Sequence, residues 1–146
     1  MRRSELREHV FKLLFMKEFN DETQMPEQMA MYFDGMEELE EKDQSYMENR
    51  FLSIQKQLPA IDRLLNETSR GWKTARMNRV DLAVLRLAVY ELCFDEEVPT
   101  GVAINEAVLI AKKFGGEESG AFVNGILGKI AVLKEEGALS WEKEDE

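Results

Sequence analysis

Residues Val80–Leu133 read VDLAVLRLAVYELCFDEEVPTGVAINEAVLIAKKFGGEESGAFVNGILGKIAVL, and this stretch decides the fold. It holds three helical patterns in succession. The first, Val80–Phe94, is apolar on almost every side. Its charged residues, Asp81, Arg86 and Glu91, fall five apart and so point in three directions on a 3.6-residue helix. A surface helix collects its polar residues on one face, so this pattern predicts the central helix of a bundle. Pro99 and Thr100 open a second helix that runs to Lys112-Lys113-Phe114 and stops at Gly115-Gly116. Lysines in a last turn, followed by glycine, are stop signals. Ser119 is placed to cap a third helix carrying Phe122, Val123, Ile126, Leu127 and Ile130 on its buried side.

Outward from this block the chain stays helical. Pro26 suits the first turn of a helix in which Met29, Tyr32, Phe33, Met36 and Leu39 keep helical spacing. Another helix starts near Asp43–Ser45 and buries Met47, Phe51, Ile54 and Leu58; Pro59 either kinks it or opens a new segment. The stretch Thr68–Asn78, with Gly71 and Trp72, is the expected junction between two halves. Short alternating β-branched runs are lacking, so the fold class is all-α. We expect two small helical bundles, approximately 1–69 and 70–146, packed into one compact domain, with an acidic, frayed tail over 135–146.

The first helix has two edges. Leu6, Val10, Leu13 and Leu14 recur as a core stripe. Beside it Arg3, Arg7, Phe11 and Phe15 follow at spacings of four, basic at one end and aromatic at the other. Arginine holds phosphates and an aromatic ring takes an unstacked base, which is how single-stranded RNA is read. The bland alternative is that the phenylalanines are core and the arginines a solvated helix start; Phe11 is read as core.

Composition bounds the rest. The 146 residues amount to one domain. No apolar run approaches the roughly 20 residues of a membrane span, and no signal peptide precedes the first helix, so a cytoplasmic protein is expected. The single cysteine, Cys93, lies in the apolar central pattern and reads as a buried thiol. The net charge of −10 argues against nucleic acid in sum but not in distribution. Residues 1–19 carry five basic against three acidic side chains, residues 20–50 two against ten, and residues 51–90 seven against three. A basic surface at the first helix is therefore allowed, but a small one, with modest and salt-dependent RNA affinity.

Catalytic chemistry finds no foothold. His9 is the sole histidine, no phosphate-cradling glycine loop exists, and Asp95-Glu96-Glu97 lacks spaced partners. We expect no catalytic residues, metal, cofactor, small-molecule substrate or membrane. Gly125 and Gly128, with Ala121, lie along one side of the last helix. Glycine inside a helix costs about 1 kcal/mol relative to alanine, and close helix packing is the first reason to consider, above all at Gly125.

The quoted block also carries a resemblance. Leu85-Arg86-Leu87-Ala88 with Tyr90-Glu91-Leu92, then Val98-Pro99, Ala103-Ile104-Asn105-Glu106-Ala107-Val108, Ala111-Lys112 with Phe114-Gly115, and Phe122-Val123-Asn124-Gly125 with Leu127 resemble the signature of the NusB transcription antitermination family. Arg2-Arg3…Arg7-Glu8…Leu14-Phe15 resembles that family's arginine-rich first helix. The resemblance implies a non-enzymatic factor that binds boxA-type single-stranded RNA together with the ribosomal protein NusE. Loaded on an RNA polymerase elongation complex, such a factor supports transcription of ribosomal RNA operons. It assigns Arg2, Arg3 and Arg7 to RNA, with Phe15 beside them, and Asn124, Gly128 and Lys129 as a second RNA-facing segment. The family commonly has an acidic residue where this chain has Gly128, and often a basic one in place of Ala121. NusE-type proteins are basic, which makes Asp81 and Glu91 candidate partner-facing acids. The alternatives are a helical adaptor that binds protein without RNA, and the NusB-like accessory domain of some RNA-modifying methyltransferases.

Overall fold

The computed structural model describes residues 1–71 and 73–139. Trp72, placed at the expected junction, and residues 140–146 of the acidic tail lie outside the described residues. Six helices follow one another: α1 (Arg3–Lys17), α2 (Met25–Asp34), α3 (Glu41–Thr68), α4 (Arg79–Phe94), α5 (Thr100–Gly115) and α6 (Glu117–Glu135), with a 3-10 turn at Thr74–Arg76 before α4. No strand occurs among the described residues, and the class is all-α as the sequence predicts.

The chain divides into two compact units, Met1–Gln55 and Lys56–Glu146. The division falls inside α3, whereas the sequence places it at 69/70. Helix α3 runs unbroken through Pro59. Proline there removes one backbone donor and costs an interior helix about 3 kcal/mol. Around it Ile54, Leu58, Ile61, Leu64 and Leu65 keep one buried stripe, and that burial outweighs the missing bond.

In the first unit the α1 stripe of Leu6, Val10, Leu13 and Leu14 is buried, and Phe11 joins it. Two polar clasps hold the surroundings. His9 Nδ1 and the Tyr32 hydroxyl lie 2.5 Å apart, tying α1 to α2. The Met1 ammonium donates to the Asp43 carboxylate on α3 at 3.0 Å. Pro26 sits in the first turn of α2 as expected. That helix ends at Asp34, so Met36 and Leu39 lie beyond it. The loop before α2 closes on Asp21, whose carboxylate accepts from the Thr23 hydroxyl and from the backbone N–H groups of Thr23 and Gln24. The Thr23 hydroxyl, chiefly, holds that carboxyl below its ordinary range.

In the second unit α4, α5 and α6 pack on one another. Leu82 to Val89 of α4 are all buried, as a helix without a polar face must be. Asn78 caps it, accepting from the Val80 N–H at 2.8 Å. Arg86 presents its guanidinium fork to Asp62 of α3, with Nε–Oδ1 at 3.0 Å and Nη2–Oδ2 at 2.8 Å. A two-point pair of this kind fixes orientation as well as charge. Between α5 and α6, Gly116 adopts φ +93°, a backbone state open to glycine, so the chain reverses there. Two expectations need correction. Ser119 is not the cap of α6: the helix starts at Glu117, and the Ser119 hydroxyl donates back to the Gly115 carbonyl at 3.3 Å. Cys93 is half-buried rather than sealed in the core, because it lies on the last turn of α4, where packing thins.

Candidate nucleic-acid interface

Helix α1 begins without a side-chain cap, and Arg2 in extended conformation leads into it. Arg2 and Arg3 are exposed. Cations at a helix N-terminus face the positive end of the macrodipole, so this placement costs stability rather than adding it. Arg7 differs: it is 9% exposed and has partners within the protein, because one turn on from Arg3 the chain has entered the side of the helix that packs. Phe15 is half-buried, its ring 6.3 Å from Phe11 in stacked geometry and 5.2 Å from Phe19 edge-on. The four-residue row also winds. Each step of four advances about 40° beyond a full turn, so Phe15 points about 120° from Arg3. The basic and aromatic ends of this edge face different directions.

Helix α6 separates its candidates in the same way. Asn124 and Gly128 differ by about 40° around the axis, whereas Asn124 and Lys129 differ by about 140°. Asn124 lines a groove of about 470 Å³ with Asn105 and Lys112 of α5. Lys129 lines another hollow, of about 350 Å³, with Arg70 and Val132. At Gly125 and Gly128 an added Cβ would meet nothing within 4 Å, so close packing is not the reason for either glycine. The close approach occurs at Gly120, where a Cβ would fall 2.6 Å from Cγ of Lys112. The sequence does carry a signal for it, since a lysine in the last turn of one helix lies eight residues before a glycine in the first turns of the next.

The two candidate partner-facing acids are buried, Asp81 to 8% exposure and Glu91 to 4%. Glu91 has partners within the protein. Asp81 Oδ1 is buried without a hydrogen-bond partner among the described residues, and the side chain borders a hollow of about 350 Å³ that Glu118 and Phe122 also line. A buried carboxylate oxygen left unpaired costs stability unless a donor reaches it. Among the described residues no group of three His, Cys, Asp or Glu is placed to hold a metal ion, and no helix is long and apolar enough to cross a membrane.

Among the described residues, six helices make an all-α protein with arginines exposed at one helix start, an amide-lined groove and a buried acid that has an unpaired oxygen. Residues 4–132 match the NusB family. The Transcription antitermination protein NusB of Lachnoclostridium phytofermentans is 50% identical over 130 residues, covering 89% of this chain and 98% of that protein. The chain belongs to the NusB family. Its fold agrees with the solved structure of T. maritima NusB at a TM-score of 0.78 and 38% identity, over 90% of this chain and 92% of that one. A structure of antitermination factors NusB and NusE in complex with dsRNA shares the fold at a TM-score of 0.75 and 22% identity, over 89% of this chain and 96% of its own.

Proposed function

We propose that this protein is a cytoplasmic transcription antitermination factor. It binds boxA-type single-stranded RNA together with NusE and acts on the RNA polymerase elongation complex during transcription of ribosomal RNA operons. The observation that carries this reading is 50% identity to an antitermination protein along 98% of that protein's length. The structure supplies a physical companion. Arg2 and Arg3 stand exposed where the helix dipole disfavours them, a cost that phosphate binding offsets. On α6 Asn124 and Gly128 add RNA-facing residues on one side, while Lys129 stands about 140° round the axis from Asn124, and Arg7 is buried with partners within the protein. Affinity comes from the protein and NusE sharing one RNA, since the basic surface alone is small. Asp81 is the partner-facing acid of choice, because a cationic side chain of a basic partner would satisfy its buried oxygen.

The test is the salt dependence of boxA RNA binding. Replacing Arg2 and Arg3 by alanine should weaken binding and lower the log–log slope by about 0.7 for each phosphate of a single strand that the protein no longer neutralises. An unchanged slope removes the start of α1 from the interface. Absence of binding even with NusE present sinks the RNA reading and leaves a protein-only adaptor.

A further inference from the structure

The groove between α5 and α6 has features that a phosphate-binding surface does not need. Its apolar lining comes from Ile104 and Val108 of α5 with Ala121 of α6. Two primary amides, Asn105 and Asn124, stand on its two helices, and both residues are exposed. Glycine at 101 and 120 keeps side chains out of it. The Lys112 stem lies across α6 at Gly120 and forms one wall. Lys112 and Glu117, which also lines the groove, cancel in charge, so the groove attracts a polyanion weakly. Its volume, about 470 Å³, falls within the range of pockets that enclose small organic groups.

We propose that this groove reads one unstacked base of the bound RNA, with the ring against the apolar lining and its edge paired to Asn105 and Asn124. The proposal rests on the RNA-binding function above and adds a site to it. Each asparagine amide offers two N–H donors and one carbonyl acceptor, the set needed to pair a base edge at two points. Glu117 supplies a further acceptor for an exocyclic amino group. Phosphate contacts position an RNA and supply affinity, whereas base contacts specify it. A groove with no net charge and two amides belongs to the second kind. A polypeptide partner is the other class of occupant to weigh. Two exposed amides beside apolar side chains suit a base, whose edge carries donors and acceptors around a flat ring, and the RNA-binding function above supplies one.

The experiment compares boxA RNA with a set of single-base substitutions, binding being measured with NusE present. The unsubstituted protein should discriminate at one position by about tenfold, the effect of a two-point base pair. Asn105→Ala should reduce that preference to within about twofold and leave the salt slope unchanged. Ala121→Phe, at an exposed position, should fill the groove and abolish the preference without depending on the amide. Thermal unfolding of both variants checks that the fold is intact. Discrimination retained at every position by both variants overturns the groove while the arginine result leaves the RNA function standing. A lowered salt slope in Asn105→Ala also overturns it, by making the residue an electrostatic contact. Intact discrimination with weakened NusE capture assigns the groove to the protein partner instead. If the protein binds no RNA at all, the function and the groove fall together.

Discussion

The two compact units are held by different means. The second is built on a helix with no polar face, against which two neighbours pack, and its charged pair Arg86–Asp62 is met in two-point geometry. The first buries a narrower stripe of α1 and adds clasps between residues far apart in the chain, His9 to Tyr32 and Met1 to Asp43. Apolar burial is non-directional and tolerant of conditions, whereas polar clasps depend on protonation and salt. The second unit should therefore fail through missing volume, and the first through missing charge or a changed proton.

The largest effect is expected from Leu85→Ala. Leu85 is fully buried in α4, and its truncation should cost about 3 kcal/mol by urea unfolding. A cost below about 1 kcal/mol would mean that α4 is not the centre of its unit. Asp62→Ala comes next. It leaves the Arg86 guanidinium without the carboxylate that its fork holds, and because Asp62 is partly exposed the expected cost is about 2 kcal/mol. Indifference to this change would demote the pair to a surface contact.

A smaller effect tests the first unit. Burial, reinforced by Lys12, lowers the pKa of His9 from its ordinary 6.5. The unfolded chain thus binds this proton more readily than the folded one. The stabilising contribution is complete above pH 6.5, declines as the pH falls through the lowered value, and then levels off. Urea midpoints taken between about pH 7 and pH 5.5 should fall for the unsubstituted protein and stay flatter for His9→Gln. Equal slopes would show that carboxylates, not His9, govern acid sensitivity. The smallest effect belongs to Gly128→Asp. An added Cβ there meets open space, so unfolding should barely change, while RNA binding weakens by about 0.5–1 kcal/mol through phosphate repulsion. A variant that unfolds would show that Gly128 packs after all.

The same contrast explains what is legible in the chain. The second unit declares itself because apolar periodicity and glycine stops are local signals, and α4 and α5 fall within a residue or so of their predicted limits. The first unit is less legible. Its clasps join residues 23 and 42 positions apart, a separation no periodicity encodes. Pro59 allows either a kink or a break, and packing on both sides of it decides for continuity. Arg7 shows the limit for site residues. Its spacing from Arg3 suggests a shared edge, but the drift of about 40° per step carries it from solvent into the packed side. Nothing in the sequence marks Asn105 as a groove residue, because only the packing of α5 on α6 brings it into one groove with Asn124.

The glycines of α6 also bear on how a sturdier version of this protein should be engineered. Gly120, Gly125 and Gly128 look interchangeable to anyone replacing helical glycines to raise thermal tolerance. Alanine at Gly125 would enter open space and gain about 0.5–1 kcal/mol of helix stability. Alanine at Gly120 would collide with the Lys112 stem and push it from the groove wall, so the same nominal improvement would rebuild the surface that is proposed to choose the RNA.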